Sequence, residues 1–164
     1  MTTVSTLTPV PFDLSEKARG AAADALNGWL VDLVALALRL KQAHWNLRGA
    51  RFKSVHEQLD EILADVRTAV DDVAERVVTL GAAAVGRRET VKSKTTPERF
   101  PQDRLRGVQE NRTSCSDLAE TIKRGRSCQE RLAEVDPVSE DLAIGILGSF
   151  EKHHWMLQSQ EEPA

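Results

Sequence analysis

The chain contains no tyrosine, only two cysteines and no excess of positive charge. Aromatic residues make up 4% of it, and clusters of Thr, Val and Ile are sparse, so there is little of the β-branched and aromatic material that strands favour. Frequent Ala, Leu and Val point instead to helices. Cys115 and Cys128 fall on one expected helix, roughly 20 Å apart along its axis, which is beyond disulfide reach. With no CxxC or zinc-knuckle spacing nearby, they read as reduced thiols. A formal net charge of -3 does not single out nucleic acid or an anionic membrane as partner. The longest apolar candidate, Trp29 to Leu40, is broken by Asp32 and Arg39 and falls short of the ~20 residues of a spanning helix, so no membrane span is expected. Met1 to Leu14 lacks the basic start and apolar run of a secretory signal, which places the expected location in the cytoplasm.

At 164 residues the chain fits one domain, large enough to bury a core without disulfides. Residues 1–14, rich in Thr, Ser and Pro, read as a flexible tail; residues 161–164 form a short acidic one. Between them four long helices are expected. Asp13 or Ser15 caps the first, which carries Leu26, Leu30, Leu33, Val34, Ala37, Leu38 and Leu40 at three- and four-residue steps to about Leu47. Arg48 to Lys53, with Gly49, is a turn. Ser54 as N-cap and Glu57 three residues on suggest a capping box for the second helix, whose apolar series from Val55 to Leu80 ends at Gly81. Gly86 to Asp103, with Pro97 and Pro101, reads as a connection with one helical turn near Thr96 to Phe100. Leu105 to Val135 and Pro137 to Gln160 complete the set, separated at Asp136-Pro137. Hairpin, long crossover between helices two and three, hairpin is the ferritin-like form of the all-α four-helix bundle.

Five side chains of metal-ligating type stand out: His44, His56, Asp60, Asp71 and Glu75. With the second helix turned ~100° per residue and His56 set at zero, Asp60 lies near 40°, Asp71 near 60° and Glu75 near 100°, while the apolar residues centre near −80°. The ligand stripe therefore flanks the core and looks outward. At 1.5 Å per residue, Asp60 and Asp71 are roughly 16 Å apart along the axis, far too much for ligands of one ion with ~2 Å bonds. Two copies meeting antiparallel about a two-fold axis would bring the His56/Asp60 end of one against the Asp71/Glu75 end of the other, forming two identical sites. His44, across the short turn, joins the His56/Asp60 end. Two imidazoles with up to three carboxylates suit ferrous iron, with zinc or manganese as competitors.

A single His near a carboxylate is usually a solvated surface pair, and i,i+4 acidic pairs are common on exposed helices. Five such residues on one stripe and one adjoining turn are less ordinary. A rival reading starts from Glu151-Lys152-His153-His154, which contains an ExxH of the kind that builds bundle-centred di-iron sites. Such sites require a second ExxH, which the chain lacks, so His153 and His154 read as surface or interface residues without an assigned role.

The runs His44-Trp45-Asn46-Leu47-Arg48-Gly49, Phe52, Val55-His56-Glu57-Gln58-Leu59-Asp60-Glu61 and Asp71-Asp72-Val73-Ala74-Glu75-Arg76, with Phe150-Glu151-Lys152 and Trp155, closely resemble the Dps family, the ferritin-like DNA-binding proteins of starved cells. The resemblance implies a hollow dodecamer that acts as a ferroxidase, oxidising Fe(II) preferentially with hydrogen peroxide and storing ferric mineral. It implies His44, His56 and Asp60 as ligands from one subunit and Asp71 and Glu75 from its two-fold mate. It further implies Trp45 as a quencher of radicals, against a plain reading as a core aromatic, and Asp136, Glu140 and Asp141 as an acidic entrance for iron, against ordinary carboxylates at a helix N-terminus. The chain departs from the family in its tail: Met1 to Leu14 carries no Lys or Arg, so DNA binding through it is not expected. Arg87, Arg88, Lys92 and Lys94, or Lys123, Arg124 and Arg126, are the remaining basic patches, more simply read as solvated faces. Two other readings stand beside the iron-storing cage: a nucleoid-associated protein of the same fold that compacts DNA, and a ferritin-like metal-binding module with no storage role.

Overall fold

A computed structural model describes residues 7–94 and 107–160. Five helices follow in order: α1 (Glu16–Asn46), α2 (Phe52–Thr79), a short α3 (Arg88–Lys94), α4 (Gly107–Ala133) and α5 (Pro137–Gln158). Among the described residues there are no strands. α1 pairs with α2 and α4 with α5, and the two hairpins join mainly through α1 against α4, whereas α2 and α5 meet more sparingly.

Amphipathic spacing accounts for the packing. Leu26, Leu30, Leu33, Leu36 and Leu40 of α1 meet Leu59, Ile62, Val66, Val73 and Val77 of α2 in one core with Leu118, Leu132 and Phe150. Burying each such side chain contributes about 1.5–3 kcal/mol. By length and composition α1 could cross a bilayer, but these leucines are spent on the bundle core.

Local signals decide the helix ends. Ser15 caps α1, its Oγ accepting from the Ala18 amide at 3.2 Å. α2, in contrast, starts two residues before the expected Ser54 cap: Phe52 N bonds Gly49 O at 3.0 Å, and Ser54 Oγ donates to Arg51 O at 3.1 Å. The turn thus already runs helically before Ser54, and the expected capping box is not the start of the helix. α2 stops where Gly81 takes φ +86°, a left-handed conformation that side chains resist. The crossover carries α3 earlier than the turn expected at 96–100, which lies outside the described residues, as do the acidic tail 161–164 and residues 1–6.

Residues 7–14, expected as part of a flexible tail, lie against the C-terminal end of α2. Thr8 N bonds Gly81 O at 2.8 Å. Arg19, 7% exposed, donates from Nη1 to Thr8 O at 2.9 Å and to Leu80 O at 2.8 Å. One buried guanidinium so satisfies carbonyls at the helix end and fastens the strap, a long-range contact that composition does not reveal.

Candidate metal centre

The last turn of α1 and the first three turns of α2 meet across a five-residue connection, which sets His44 beside His56 and Asp60. Ligand atoms of these three residues lie within 4.8 Å of one another, the one such cluster of three or more among the described residues. His44 Nε2 is 2.8 Å from Asp60 Oδ2. The two imidazoles stack with centroids 3.7 Å apart, and Phe52 packs on His56 at 4.8 Å. His56 Nδ1 lies 3.3 Å from His44 O; donating to that carbonyl, it leaves the lone pair of Nε2 to face a metal. His44 is buried, His56 half-buried and Asp60 exposed, so the cluster opens outward from the bundle.

Lys41, one turn before His44, escaped the sequence reading. Its Nζ donates to Asp60 Oδ1 at 2.9 Å and lies 3.5 Å from His44 Nε2. An ammonium thus already sits as a cation against the prospective ligands. The hydrogen bond from Lys41, aided by His44, holds the Asp60 carboxyl below its ordinary range, so it is an ionised acceptor at neutral pH. The available signal was the i,i+3 spacing of Lys41 and His44 on one helix face, which is too common to be diagnostic alone.

Asp71 and Glu75 lie farther along α2 and are both exposed; they are not part of the three-residue cluster. Trp45 is 68% exposed, so it does not serve the core of its own chain; that role falls to Trp29, whose Nε1 donates to Thr121 O at 3.3 Å. Asp136 is 4% exposed and accepts from Arg76 Nη2 at 2.7 Å and from the Ser139 hydroxyl. Burial raises its pKa, but Ser139 and Arg76 outweigh it and hold the carboxyl below the usual range. Glu140 accepts from Gln129 Nε2 at 2.7 Å, and Asp141 is exposed.

The ExxH residues do not converge on the bundle centre. Glu151 pairs with Arg126 at 2.5 Å and His154, the histidine of the motif, is half-buried, while His153 beside it pairs with Asp65 at 2.7 Å. Of the basic patches, Arg124 is held by Asp32 at 2.7 Å and by Glu120 at 3.2 Å, while Arg87 and Lys92 are exposed. Both cysteines are buried thiols outside any disulfide; burial pushes the Cys128 thiol up to about 11, which keeps it protonated and unreactive.

Two helical hairpins around a leucine-rich core, with an imidazole–carboxylate cluster on their outer side, define a ferritin-like protein, and residues 23–162 match the ferritin-like domain family. The chain belongs to the Dps branch of it. It is 33% identical, over 92% of its length and 82% of the relative, to the DNA protection during starvation protein of Mycolicibacterium smegmatis. It is also 36% identical, over 84% of its length and 72% of the relative, to the fine tangled pili major subunit of Haemophilus ducreyi. Among solved structures, Dps from Microbacterium arborescens in a high iron form superposes with TM-score 0.84 at 32% identity, covering 94% of this chain and 97% of that one.

Proposed function

We propose that the chain is a ferroxidase and iron-storing cage subunit of the cytoplasm, working as a homo-oligomer, a dodecamer, that protects DNA by removing Fe(II) and peroxide together. The observation that carries this reading is the outward-facing cluster of His44 on α1 with His56 and Asp60 on α2, the helix that also exposes Asp71 and Glu75. A mate docked antiparallel supplies the last two, and the completed set fits ferrous iron as substrate. Zinc and manganese compete for the same nitrogen and oxygen donors.

The residues divide the work. The carboxylates neutralise the ferrous ions and favour the harder ferric product, while the stacked imidazoles fix the site's shape. One hydrogen peroxide accepts one electron from each of two Fe(II); its O–O bond breaks and two protons are taken up, giving two waters and two Fe(III) with no hydroxyl radical released. Trp45, exposed beside His44, is placed to intercept radicals that escape. Glu140 and Asp141, with Asp136 anchoring the start of α5, form the acidic entrance.

The test is complementation. His56→Ala and Glu75→Ala cages should each lose rapid Fe(II) oxidation, and cages assembled from both should regain part of it, because some interfaces then pair two intact halves. Well-folded mixed cages without recovery would sink the two-chain site. Light scattering for particle mass, and mineral formation after Fe(II) and peroxide, separate the cage from a simple metal-binding module. The exposed Arg87 and Lys92 favour DNA compaction as a second reading; salt-dependent retardation of DNA by the intact assembly tests it.

A further inference from the structure

α5 is tied to α2 at three places. At one end Arg76 holds Asp136 and Ser139, with Nε donating to Ser139 Oγ at 2.8 Å. At the other, Gln160, two residues past the end of α5, donates to Gln58 of α2 and accepts through its backbone carbonyl from Arg51, just before α2. Between them His153 Nε2 lies 2.7 Å from Asp65 Oδ2, and Ser149 Oγ donates to the same oxygen at 3.0 Å. The outer two ties are closed by strong donors. Asp65 and Ser149 of the middle one line a groove of about 430 Å³ between the helices, which Asp72 and Asp141 line with them.

The middle tie repeats the chemistry of the metal centre. In both, a histidine Nε2 meets an aspartate Oδ2, at 2.8 Å for His44 with Asp60 and 2.7 Å for His153 with Asp65. In both, the imidazole is largely enclosed, 8% and 12% exposed, while the carboxylate is 51% exposed. In both, the histidine Nδ1 is sealed from solvent without a hydrogen-bond partner, so Nε2 is the ring nitrogen available to a ligand. The hydrogen bond from His153 also holds Asp65 ionised, below its usual range.

Charge adds an independent argument. Among the described residues no Lys or Arg pairs with Asp72 or Asp141; the groove gathers three carboxylates, and the positive groups acting on Asp65 are His153 and its neighbour Lys152. Asp72 is two turns from Asp65, roughly 10 Å along α2, too far to share an ion but near enough to draw cations into a walled groove.

We propose that the α2–α5 groove is a second divalent transition-metal site, with His153 Nε2 and Asp65 as protein ligands and water filling the remaining positions. A nitrogen and oxygen pair selects Fe(II), Co(II), Zn(II) or Mn(II) over calcium and magnesium, which take all-oxygen shells. Two protein ligands make it an exchangeable holding station rather than a structural site. Asp65 and Asp72 lie near 170° on the α2 wheel, off the stripe from His56 to Glu75, so the station is complete within one chain and needs no mate.

The probe is Co(II), read by its visible absorption and by anomalous diffraction from the assembled full chain. In a His56→Ala, Glu75→Ala background, about one Co(II) per chain should remain, and adding His153→Gln should weaken it at least ~10-fold, since the amide keeps a hydrogen bond to Asp65 but is a poor ligand. Crystals of the unaltered protein should show a peak between His153 and Asp65 independently of any at His44, His56 and Asp60, so either site can fail alone. No peak there, or Co(II) retained after His153→Gln, overturns the proposal and leaves the pair a structural tie.

Discussion

Lys41 and Asp60 form an ion pair of 2.9 Å between the last turns of α1 and the start of α2, inside the cluster that would receive a metal. The ammonium therefore competes with a divalent ion for one oxygen of a ligand. Asp60 is 51% exposed, so solvent screens the pair and the competition is modest, on the order of 0.2–1 kcal/mol. Lys41→Gln should bind Zn(II) about two- to five-fold more tightly than the parent, and the gain should shrink as salt is raised. Calorimetry of the assembled protein at two ionic strengths reads it. Weaker binding would instead make Lys41 a group that positions Asp60.

Arg76 and Asp136 form a tighter pair, 17% and 5% exposed at 2.7 Å. Removing one partner of a buried pair leaves the other uncompensated, so Asp136→Asn should cost about 3 kcal/mol at pH 7. The sign with pH follows from the lowered folded pKa. Asp136 contributes fully above the unfolded carboxyl value of about 3.9 and loses its contribution as pH falls through the lower folded value. Thermal midpoints of the parent and Asp136→Asn should therefore differ most at neutral pH and converge in strong acid. A constant gap down to low pH would contradict the role of the ionised carboxylate.

What the sequence disclosed depended on how local the signal was. The core face of α2 was legible because Val55, Leu59, Ile62, Val66 and Val73, all buried, share a helical period. His44, His56 and Asp60 were legible because one short turn joins their helices. Ser54 misled because a hydroxyl near a helix start has two uses, and here it donates to Arg51 O instead of capping. The ion pair of Asp136 with Arg76 was not legible, because the two are 60 residues apart in sequence. His153 with Asp65, 88 residues apart, was hidden for the same reason: the register between α2 and α5 is set by packing, which periodicity does not specify.

Arg19 supports a prediction about the strap at 7–14. It is 7% exposed, and one nitrogen serves both Thr8 O and Leu80 O. Arg19→Met keeps the apolar stem but strands two carbonyls, at about 2 kcal/mol, or a midpoint lower by ~4–8 °C for a chain of this size. Proteolysis should also begin to cut between Pro9 and Asp13. A lower midpoint with an equally resistant strap would mean that Arg19 acts on α2 alone.

Gly125 and Gly28 should respond oppositely to alanine, although both lie in long helices. A Cβ on Gly125 would lie 2.7 Å from Trp29 Cζ2 and 2.9 Å from Leu147 Cδ2, and the indole is fixed by its bond to Thr121 O at 3.3 Å. α4 approaches α1 and α5 closely there because the side chain is missing. Overpacking costs about 1–3 kcal/mol, against a gain in helix propensity of about 1 kcal/mol, and the rigid ring cannot retreat as a flexible side chain would. Gly125→Ala should therefore lower the thermal midpoint. Gly28 has nothing within 4 Å of an added Cβ, so only the propensity term acts, and Gly28→Ala should stabilise by about 0.5–1 kcal/mol. Midpoints measured side by side decide it: a stabilised Gly125→Ala would show that Trp29 can move, and with it the α1–α4 seam that joins the two hairpins.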